Sequence, residues 1–374
     1  MKVPWPRVVS ILAAVLMLTA IVLPVSAENG SGLLAHSDAL TATLFAALLF
    51  VLAGPRRAPV AISAGLIGVV VGCATTLTLL HDPAVAGFAA TGFWMLVLGT
   101  WLAAGLAVTR LAGLEPRDKT ARRAIGLAIP LLFGAFLFYL WEVVVRGFGV
   151  PSVLMPAPSA IAARFAVSLP TLGEDFVQTF IRGVLSGYVI GCGAGFLTAV
   201  VADRFSFLER GLLPIGNFVS ALPIVGIAPI MVMWFGFDWP SKAAVVAVIT
   251  FFPMLVNTLA GLQAAGRIER DLMRSYGAGH RQTLLKLTLP AALPFIFNAL
   301  KINSTLALIG AIVAEFFGTP IHGMGFRISI EVARMSLDMV WAEIALAALA
   351  GMAFYGIVAL AERATTFWHP SYRT

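Results

Sequence analysis

The sequence predicts an all-α polytopic membrane protein, and three observations support this class. Of its 374 residues, 60% are hydrophobic and only 11% are charged, whereas about a quarter of the residues of soluble domains are charged. Apolar runs recur along the chain, each close to the roughly 20 residues that span a bilayer core of about 30 Å. The basic residues are concentrated in alternate segments between these runs. Soluble globular folds are therefore excluded.

Ten such runs predict about ten transmembrane helices. They cover residues 8–25, 38–54, 59–80, 86–109, 124–145, 178–202, 211–236, 242–262, 294–317 and 339–361. The charged linker 115–123 divides a four-helix N-terminal part (1–114) from a six-helix C-terminal part (124–365), which a short tail (366–374) follows. The four N-terminal runs carry almost no ionisable residue, so we assign them packing or lipid contact and no chemistry.

The net charge of +7 follows the predicted topology. If the N-terminus is cytoplasmic, 19 of the 25 basic residues fall in inside segments, as the positive-inside rule requires. The six others lie outside or near the outer edge: Arg146, Arg164, Arg182, Lys242, Arg327 and Arg334. We expect a multi-pass protein of the bacterial inner membrane with both termini in the cytoplasm, and no nucleic-acid partner.

Residues 1–27 allow two interpretations. Lys2 and Arg7 precede an apolar stretch that ends in small residues, as in a cleavable signal peptide. The apolar run is longer than the usual signal core of about 7–15 residues, which favours a retained first helix. Cys73 and Cys192 lie within apolar runs without metal-ligand spacing, so we expect both to be packing residues and no metal site.

Glycine and proline patterns make two further predictions. Gly183, Gly187, Gly191 and Gly195 recur every four residues, which places them on one helix face. Such a face predicts close packing against another helix, with a channel lining as the alternative. The proline-rich stretch 147–177 predicts an outer loop that is first extended and then helical.

The stretch 265–290 differs from every other loop of the chain. Charged residues alternate with apolar residues at helical spacing, the latter including Ile268, Leu272 and Tyr276. Gly277 and Gly279 are expected to end a first short helix with a left-handed cap, and Pro290 to break the chain before the next span. The pattern fits docking of a short helix into a partner's groove, or an amphipathic helix at the membrane surface.

The spacing of this stretch resembles the EAA loop of ABC importer permeases, which reads Glu-Ala-Ala, three residues, Gly, nine residues, an aliphatic residue, one residue and Leu-Pro. Asp271-Leu272-Met273 occupies the place of the triplet, Gly277 that of the glycine, and Leu287 with Leu289-Pro290 that of the end. Within the triplet only the acidic first position is matched, by Asp271, because Leu272 and Met273 stand where the family has alanines. On this resemblance the residues in contact with an ATPase would be Asp271, Leu272, Met273, Arg274, Ser275, Tyr276, Gly277, Ala278, Leu287, Leu289 and Pro290.

Further patterns are similar to the nitrate/sulfonate/taurine branch of these permeases, which also includes permeases for thiamine precursors. They are Leu222-Pro223 with Pro229, Phe252-Pro253 with Asn257, and Glu315 followed by Gly323-Met324-Gly325. The resemblance covers about residues 125–365. It implies a C-terminal six-helix type I ABC importer permease core, to which the four N-terminal helices are an addition.

The resemblance also implies a homodimer, two ABC ATPase subunits and an extracytoplasmic substrate-binding protein. The sequence has no Gly-x-x-x-x-Gly-Lys-[Ser/Thr] loop, so we expect ATP and Mg²⁺ on the partner ATPases and no cofactor on this chain. Transport would carry a small solute inward: a sulfonate, nitrate, taurine, a thiamine precursor or another small organic nutrient.

Four polar residues in the predicted core helices, and one methionine on a helix interrupted by proline and glycine, are candidates for the substrate path. They are Glu315, Asn257, Met233, Asn303 and Glu142. Intramembrane acids usually face a cavity or a partner, so Glu315 has a gate role and a structural hydrogen-bonding role as alternatives. For Glu142, solvation by headgroups or pairing with Arg146 is expected. Core packing is the alternative for Met233.

Two other classes remain as alternatives. A secondary transporter would show repeated halves and acids near the bilayer midplane, and neither pattern is visible here. A membrane-embedded enzyme would need a cluster of catalytic groups, whereas the five histidines, at 36, 81, 280, 322 and 369, are scattered in loops. No catalytic residue is therefore predicted. Co-purification with an ATPase would separate the two kinds of transporter.

Overall fold

The computed structural model describes residues 5–53, 59–114, 116, 118–220, 223–318 and 321–368. These residues are almost entirely helical, and two isolated bridges, Pro24 with Gly32 and Ser26 with Ala89, are the extended pairings among them. The all-α prediction is confirmed. Several residues used above lie outside the described part of the chain: Lys2, Arg56, Arg57, Glu115, Arg117, Leu222, His369 and Arg373.

Seven helices in the described residues are long and apolar enough to cross a membrane. They are Ile62–Leu79, Thr91–Ala112, Lys119–Gly147, Leu169–Arg204, Trp239–Gln263, His280–Glu315 and Leu337–Thr365. Three shorter apolar helices, Val8–Val22, Ser37–Phe50 and Ile224–Phe235, coincide with the remaining predicted runs. The polytopic class is thus confirmed, and the count of ten spans stays a prediction.

The chain forms two compact units, one that ends at Ile161 and one that begins at Ala162. The first unit contains α1 (Trp5–Val22), α2 (Ser37–Ala53), α3 (Pro59–Leu79), α4 (Thr91–Ala112) and α5 (Lys119–Gly147). Its core includes Met17, Phe93 and Leu96, all fully buried. Tyr139 of α5 lies 2.7 Å from the Thr76 hydroxyl of α3. These contacts place α5 with the N-terminal helices, so the units divide later in the chain than the predicted linker 115–123.

The second unit is built around three long helices. After α6 (Pro158–Val167), α7 (Leu169–Phe176) continues through a wide π-helical turn (Val177–Leu185) into α8 (Ser186–Arg204). The other long helices are α11 (Trp239–Gln263) and α14 (Leu289–Glu315). The remaining helices are α9 (Ser206–Ser220), α10 (Ile224–Phe235), α12 (Arg267–Ser275), α13 (His280–Thr283), α15 (Met324–Ala333) and α16 (Leu337–Thr365).

Glycines bring the backbones of α8 and α11 into direct contact. A Cβ atom on Gly187 would lie 2.5 Å from the Ala243 carbonyl oxygen, and one on Gly195 would lie 2.5 Å from that of Phe251. Real Cβ atoms essentially never come so close. On the other side of α11, a Cβ on Gly261 would lie 3.0 Å from the Ala292 Cα of α14. The predicted glycine face is therefore a helix-packing face.

Three sequence predictions need correction. The run 211–236 is two helices, α9 and α10, because Pro223 adopts an extended backbone (ψ 126°) and has no N–H to continue a helix. The sixth helix begins at Leu169, before the predicted residue 178, since the helix passes through the wide turn without interruption. The stretch 147–177 contains the predicted helices, α6 and α7, but its start forms turns and is not extended, because the N–H groups of Leu154 and Met155 donate to the Pro151 carbonyl.

Pro290 does not break the chain. It lies directly after a second wide π-helical turn (Leu284–Thr288), which joins α13 to α14 and accommodates a residue without an N–H. The resulting helix runs unbroken from His280 to Glu315. The prediction is wrong because proline is tolerated at this position, next to a wider turn.

We expect Gly191→Ala to destabilise the protein and Gly193→Ala on the same helix to leave it unchanged or slightly more stable. A Cβ on Gly191 would lie 2.5 Å from the Ala247 carbonyl oxygen, whereas one on Gly193 meets no atom within 4 Å. Overpacking costs about 1–3 kcal/mol, and Ala gains up to about 1 kcal/mol over Gly in a helix. Thermal unfolding in detergent measures the difference, and equal midpoints for the two variants would contradict the assigned contact.

Candidate functional site

Helix α12 projects from the C-terminal unit with all of its side chains at least partly exposed. One residue of the helix, Arg270, ties it to the end of α11. The Arg270 guanidinium donates hydrogen bonds to the carbonyl oxygens of Leu262, at 2.6 Å, and Ala265, at 3.3 Å. The first of these carbonyls belongs to the last turn of α11, whose final carbonyls have no partner within the helix. The position of α12 is thus coupled to that of α11.

Gly277 ends α12 with a left-handed turn (φ +67°). The Ala278 N–H donates to the Met273 carbonyl at 3.0 Å, and the Gly277 N–H donates to the Arg274 carbonyl at 2.9 Å. These two bonds form a Schellman cap, which needs glycine because a Cβ opposes a positive φ. Gly279 has an ordinary φ of −72° and instead precedes α13 as its N-cap residue. Only one of the two predicted left-handed glycines is therefore left-handed.

The surface of α12 carries an exposed apolar stripe. Ile268, Leu272 and Tyr276, four residues apart, are 84%, 55% and 81% exposed. The rest of the helix is mainly charged, with Arg274 3.4 Å from Asp271 in an exposed pair that contributes little stability. Large apolar side chains aligned on a free helix face are typical of a surface that binds a partner.

The second half of the 267–290 segment is anchored in the protein. Leu284 and Leu289 pack against the core of the C-terminal unit, while Leu285 is 63% exposed. Among the predicted contact residues, Leu287 and Pro290 are half-buried, as are Met273 and Ala278 in the first half. The segment therefore combines an exposed helix with a helical turn that leads directly into α14.

A buried polar cluster lies at the other end of α14, which is about 40 Å long at 1.5 Å per residue. Its members are Asp175, Thr179, Lys242, Glu315, Arg327 and Glu343. Glu315 is 2% exposed, and its carboxylate accepts hydrogen bonds from the Thr179 hydroxyl, at 2.8 Å, and the Gly325 N–H, at 2.7 Å. A Cβ on Gly323 would lie 2.7 Å from the same carboxylate. Glu315 thus holds the chain that leads into α15.

Asp175 makes a second set of bonds to the same stretch. Its buried carboxylate accepts from the Gly323 N–H at 2.6 Å and from the Arg327 guanidinium at 2.8 Å. The Thr179 hydroxyl accepts from the Met324 N–H at 2.8 Å. Glu343 of α16 is fully buried, and its charged neighbours are Asp175, Arg327 and Glu315. Three consecutive backbone N–H groups, from Gly323 to Gly325, are therefore bound by side chains of α7, the following wide turn and α14.

Lys242 and Asp238 complete this end of the unit. Lys242 is 1% exposed, and its ammonium group donates to the carbonyl oxygens of Phe237, at 2.6 Å, and Gly318. The amide of Gln178 and the N–H of Trp239 donate to the Asp238 carboxylate and hold its pKa below the usual range. Lys242, near the start of α11, thereby links the stretch after α10, through Phe237, to the stretch after α14, through Gly318.

The other predicted path residues do not join this cluster. Asn303 is fully buried and donates to the Thr250 carbonyl at 2.8 Å, and Asn257 donates to the Pro253 carbonyl at 2.8 Å. Met233 on α10 is 83% exposed. Glu142 lies in the N-terminal unit, where Arg146, at 3.3 Å, is its predicted ion pair.

Glu142 also accepts hydrogen bonds from the N–H and hydroxyl of Ser159, at 2.9 and 2.6 Å. These bonds cap the start of α6.

Sequence reasoning missed most of the polar cluster. Asp175 and Arg327 lie in stretches predicted as loops, and Glu343 lies in an apolar run with no motif beside it. One sequence feature could have indicated the cluster, namely Glu315 followed by two closely spaced glycines. Glycines near a buried acid leave room for its carboxylate.

Comparison with known proteins gives the family. Residues 187–367 match the family described as binding-protein-dependent transport system inner membrane component. The formylaminopyrimidine transport permease protein of Halalkalibacterium halodurans is 30% identical over 64% of this chain and 95% of its own length. The chain belongs to this permease family. Together with its apolar helices, the match identifies a multi-pass inner-membrane component of an ABC transporter.

Two other relatives extend the comparison. The riboflavin transport system permease protein of Chloroflexus aurantiacus is 29% identical over 71% of this chain and 98% of its own length. The taurine transport system permease protein of Escherichia coli is 30% identical over 66% of this chain and 91% of its own length. The family match contains α12 and the whole 267–290 segment, so the segment belongs to the permease portion of the chain.

We expect Glu315→Ala to destabilise the permease more than Glu315→Gln. Alanine leaves the buried Thr179 and Gly325 donors without an acceptor, at a cost of about 1–3 kcal/mol each. Glutamine keeps one acceptor oxygen. Thermal unfolding of the purified variants measures the order, with Glu174→Ala as a control because that side chain is 63% exposed. Equal stability of the alanine variant and the unmodified protein would contradict the structural role of this carboxylate.

Proposed function

We propose that this chain is the transmembrane permease subunit of an ABC importer that moves a small organic nutrient inward across the cytoplasmic membrane. The observation that carries the proposal is α12, a charged helix with an exposed apolar stripe and a glycine-dependent cap. Its place in a chain of this permease family supports docking to an ATPase rather than simple adsorption to the membrane surface.

The proposed assembly contains two copies of this chain, two ATPase subunits and an extracytoplasmic binding protein. The chain itself has no phosphate-binding loop of the P-loop type, so ATP and Mg²⁺ would be held by the ATPases. The distribution of basic residues supports cytoplasmic termini. In that orientation α12 faces the cytoplasm, and the polar cluster lies at the outer ends of the helices.

In the proposed mechanism, α12 transmits the movement of the ATPases to the membrane helices. Arg270 links α12 to α11, and the wide turn links the segment to α14. Closure of the ATPase pair would therefore move two packed helices together, as a rigid-body switch between outward- and inward-open states.

For Glu315, the bonds to Thr179 and Gly325 favour the structural role over the gate. Met233 and Asn257 remain the proposed lining of the path.

The substrate class rests on the relatives. Their names give riboflavin, formylaminopyrimidine and taurine as the transported compounds of those proteins, which supports a small organic solute for this chain. Binding measurements on a binding protein encoded next to this gene, with these three compounds as first probes, test the class. Binding of a metal ion or a large peptide in place of all three would refute it.

Reconstitution into liposomes distinguishes the proposed ATP-driven importer from an ion-coupled secondary transporter. Proteoliposomes that contain the permease and its co-purified ATPase, supplied with the binding protein encoded next to this gene, should take up the solute only with ATP, and ionophores that collapse ion gradients should leave the uptake unchanged. Uptake without ATP that ionophores abolish would establish ion coupling and refute the ABC importer.

We expect Gly277→Val to uncouple transport from ATP hydrolysis. Valine opposes the left-handed φ of +67° and would open the Schellman cap, so that α12 no longer transmits movement. Uptake should fall at least tenfold while ATP hydrolysis continues. Gly279→Val is the matched control, because Gly279 has a φ of −72° and a Cβ at this position would meet no atom within 4 Å. Equal uptake by the two variants would exclude a role for the cap.

We expect Leu272→Ser to weaken binding of the ATPase about tenfold without unfolding the permease. Leu272 is 55% exposed at the centre of the stripe, so its loss removes apolar contact with a partner and little internal packing. Arg267→Gln is the control, since at about 100° per residue it lies on the opposite face of α12. Co-purification of the tagged permease with the ATPase measures the change, and an unaltered yield would place the partner elsewhere.

A further inference from the structure

The N-terminal unit contains an open apolar groove of about 710 Å³ between α1, α3, α4 and α5. Val9, Leu66, Trp101 and Phe133 contribute to its walls, each from a different helix. Small-molecule sites in proteins have volumes of about 300–1,000 Å³. Neither the family match, which begins at residue 187, nor the proposed import mechanism assigns a role to this groove.

The length of the groove fits one leaflet of a membrane. Along α4 it extends from Trp101 to Gly113, which corresponds to about 18 Å at 1.5 Å per residue. Half of a bilayer core is about 15 Å. The walls are apolar along this length, and the polar residues Thr109 and Arg110 lie near one end. The groove therefore has a long apolar part and a single charged end.

Arg110 carries the charge at that end. Its Nη2 atom is buried and has no hydrogen-bond partner among the described residues. None of the groove-lining residues is acidic. Asp118, eight residues further along the chain, is the N-cap of α5 and accepts a hydrogen bond from the Ala121 N–H at 3.2 Å. Arg110 as a whole is half-buried, so its guanidinium lies partly against apolar walls, where a paired anion is favourable and where its planar fork fits a phosphate.

We propose that this groove binds one anionic phospholipid, with an acyl chain along α4 and the headgroup phosphate on the Arg110 guanidinium. Charge complementarity and groove length together favour this occupant over an uncharged lipid. With the proposed cytoplasmic termini, the charged end lies in the inner leaflet. Basic pockets between transmembrane helices on the cytoplasmic side bind anionic headgroups. The site would add a lipid contact to helices that lie outside the family match.

Native mass spectrometry of the purified full chain in neutral detergent tests the site. The probes are phosphatidylglycerol and phosphatidylcholine with identical acyl chains. We expect the protein to retain one phosphatidylglycerol at concentrations where it retains no phosphatidylcholine. Arg110→Gln should weaken this retention about tenfold, because it removes a charge-assisted bond, and Arg123→Gln, an exposed arginine outside the groove, should not.

A second variant tests the groove without touching the charge. A Cβ on Gly105, which lines the groove, meets no atom within 4 Å, so Gly105→Leu would occupy the groove without a clash at its Cβ. We expect this variant to unfold at the temperature of the unmodified chain and to lose the lipid. Gly126→Leu is the control, since its Cβ is equally free and Gly126 is not part of the groove wall.

Equal retention of the two lipids, or retention unchanged in both Arg110→Gln and Gly105→Leu, would overturn the proposal. Glu115 lies outside the described residues, and Glu115→Gln examines it as an internal partner of Arg110. Phosphatidylglycerol retained by that variant and not by the unmodified chain would show that Glu115 and not lipid pairs with Arg110, and would also overturn the proposal. Because the assay needs neither ATPase nor solute, its result is independent of the import function.

Discussion

The C-terminal unit depends on backbone contact between α11 and its two neighbours. Gly187, Gly191 and Gly195 let α8 approach α11 to a distance at which a single Cβ would collide with carbonyl oxygens. Gly261 does the same for α14. In a bilayer, lipid tails are as apolar as leucine, so close van der Waals packing replaces the hydrophobic effect as the force between helices.

The two ends of α14 have opposite character. At the Leu289 end, the chain leaves the core and forms α12, whose apolar stripe has no partner within the described residues. At the Glu315 end, the charged groups are buried and bonded: Glu315 and Asp175 bind the N–H groups of Gly323 and Gly325, and Lys242 binds carbonyl oxygens. One end of the same helix is thus joined to an exposed apolar stripe, and the other holds the permease's own chain in place.

Local and periodic features could be predicted from the sequence, and long-range ones could not. The glycine face and the Gly277 cap follow from residue spacing and from the low cost of a positive φ at glycine. The Asp175–Arg327 bond joins residues 152 positions apart, and no local pattern signals such a contact. The wide turns that carry α7 into α8 and α13 into α14 also lack a clear signature, so sequence alone predicts a break at Pro290 where the helix continues.

The exposed stripe of α12 also bears on how the protein is made. A subunit without its partner displays Ile268, Leu272 and Tyr276 to water, and exposed apolar patches of this kind promote self-association. On the proposed assembly, the ATPase covers this apolar stripe as well as driving transport. Permease made in excess of its ATPase would then keep the stripe uncovered and would be prone to aggregate, so on this proposal three exposed side chains favour balanced production of the two subunits.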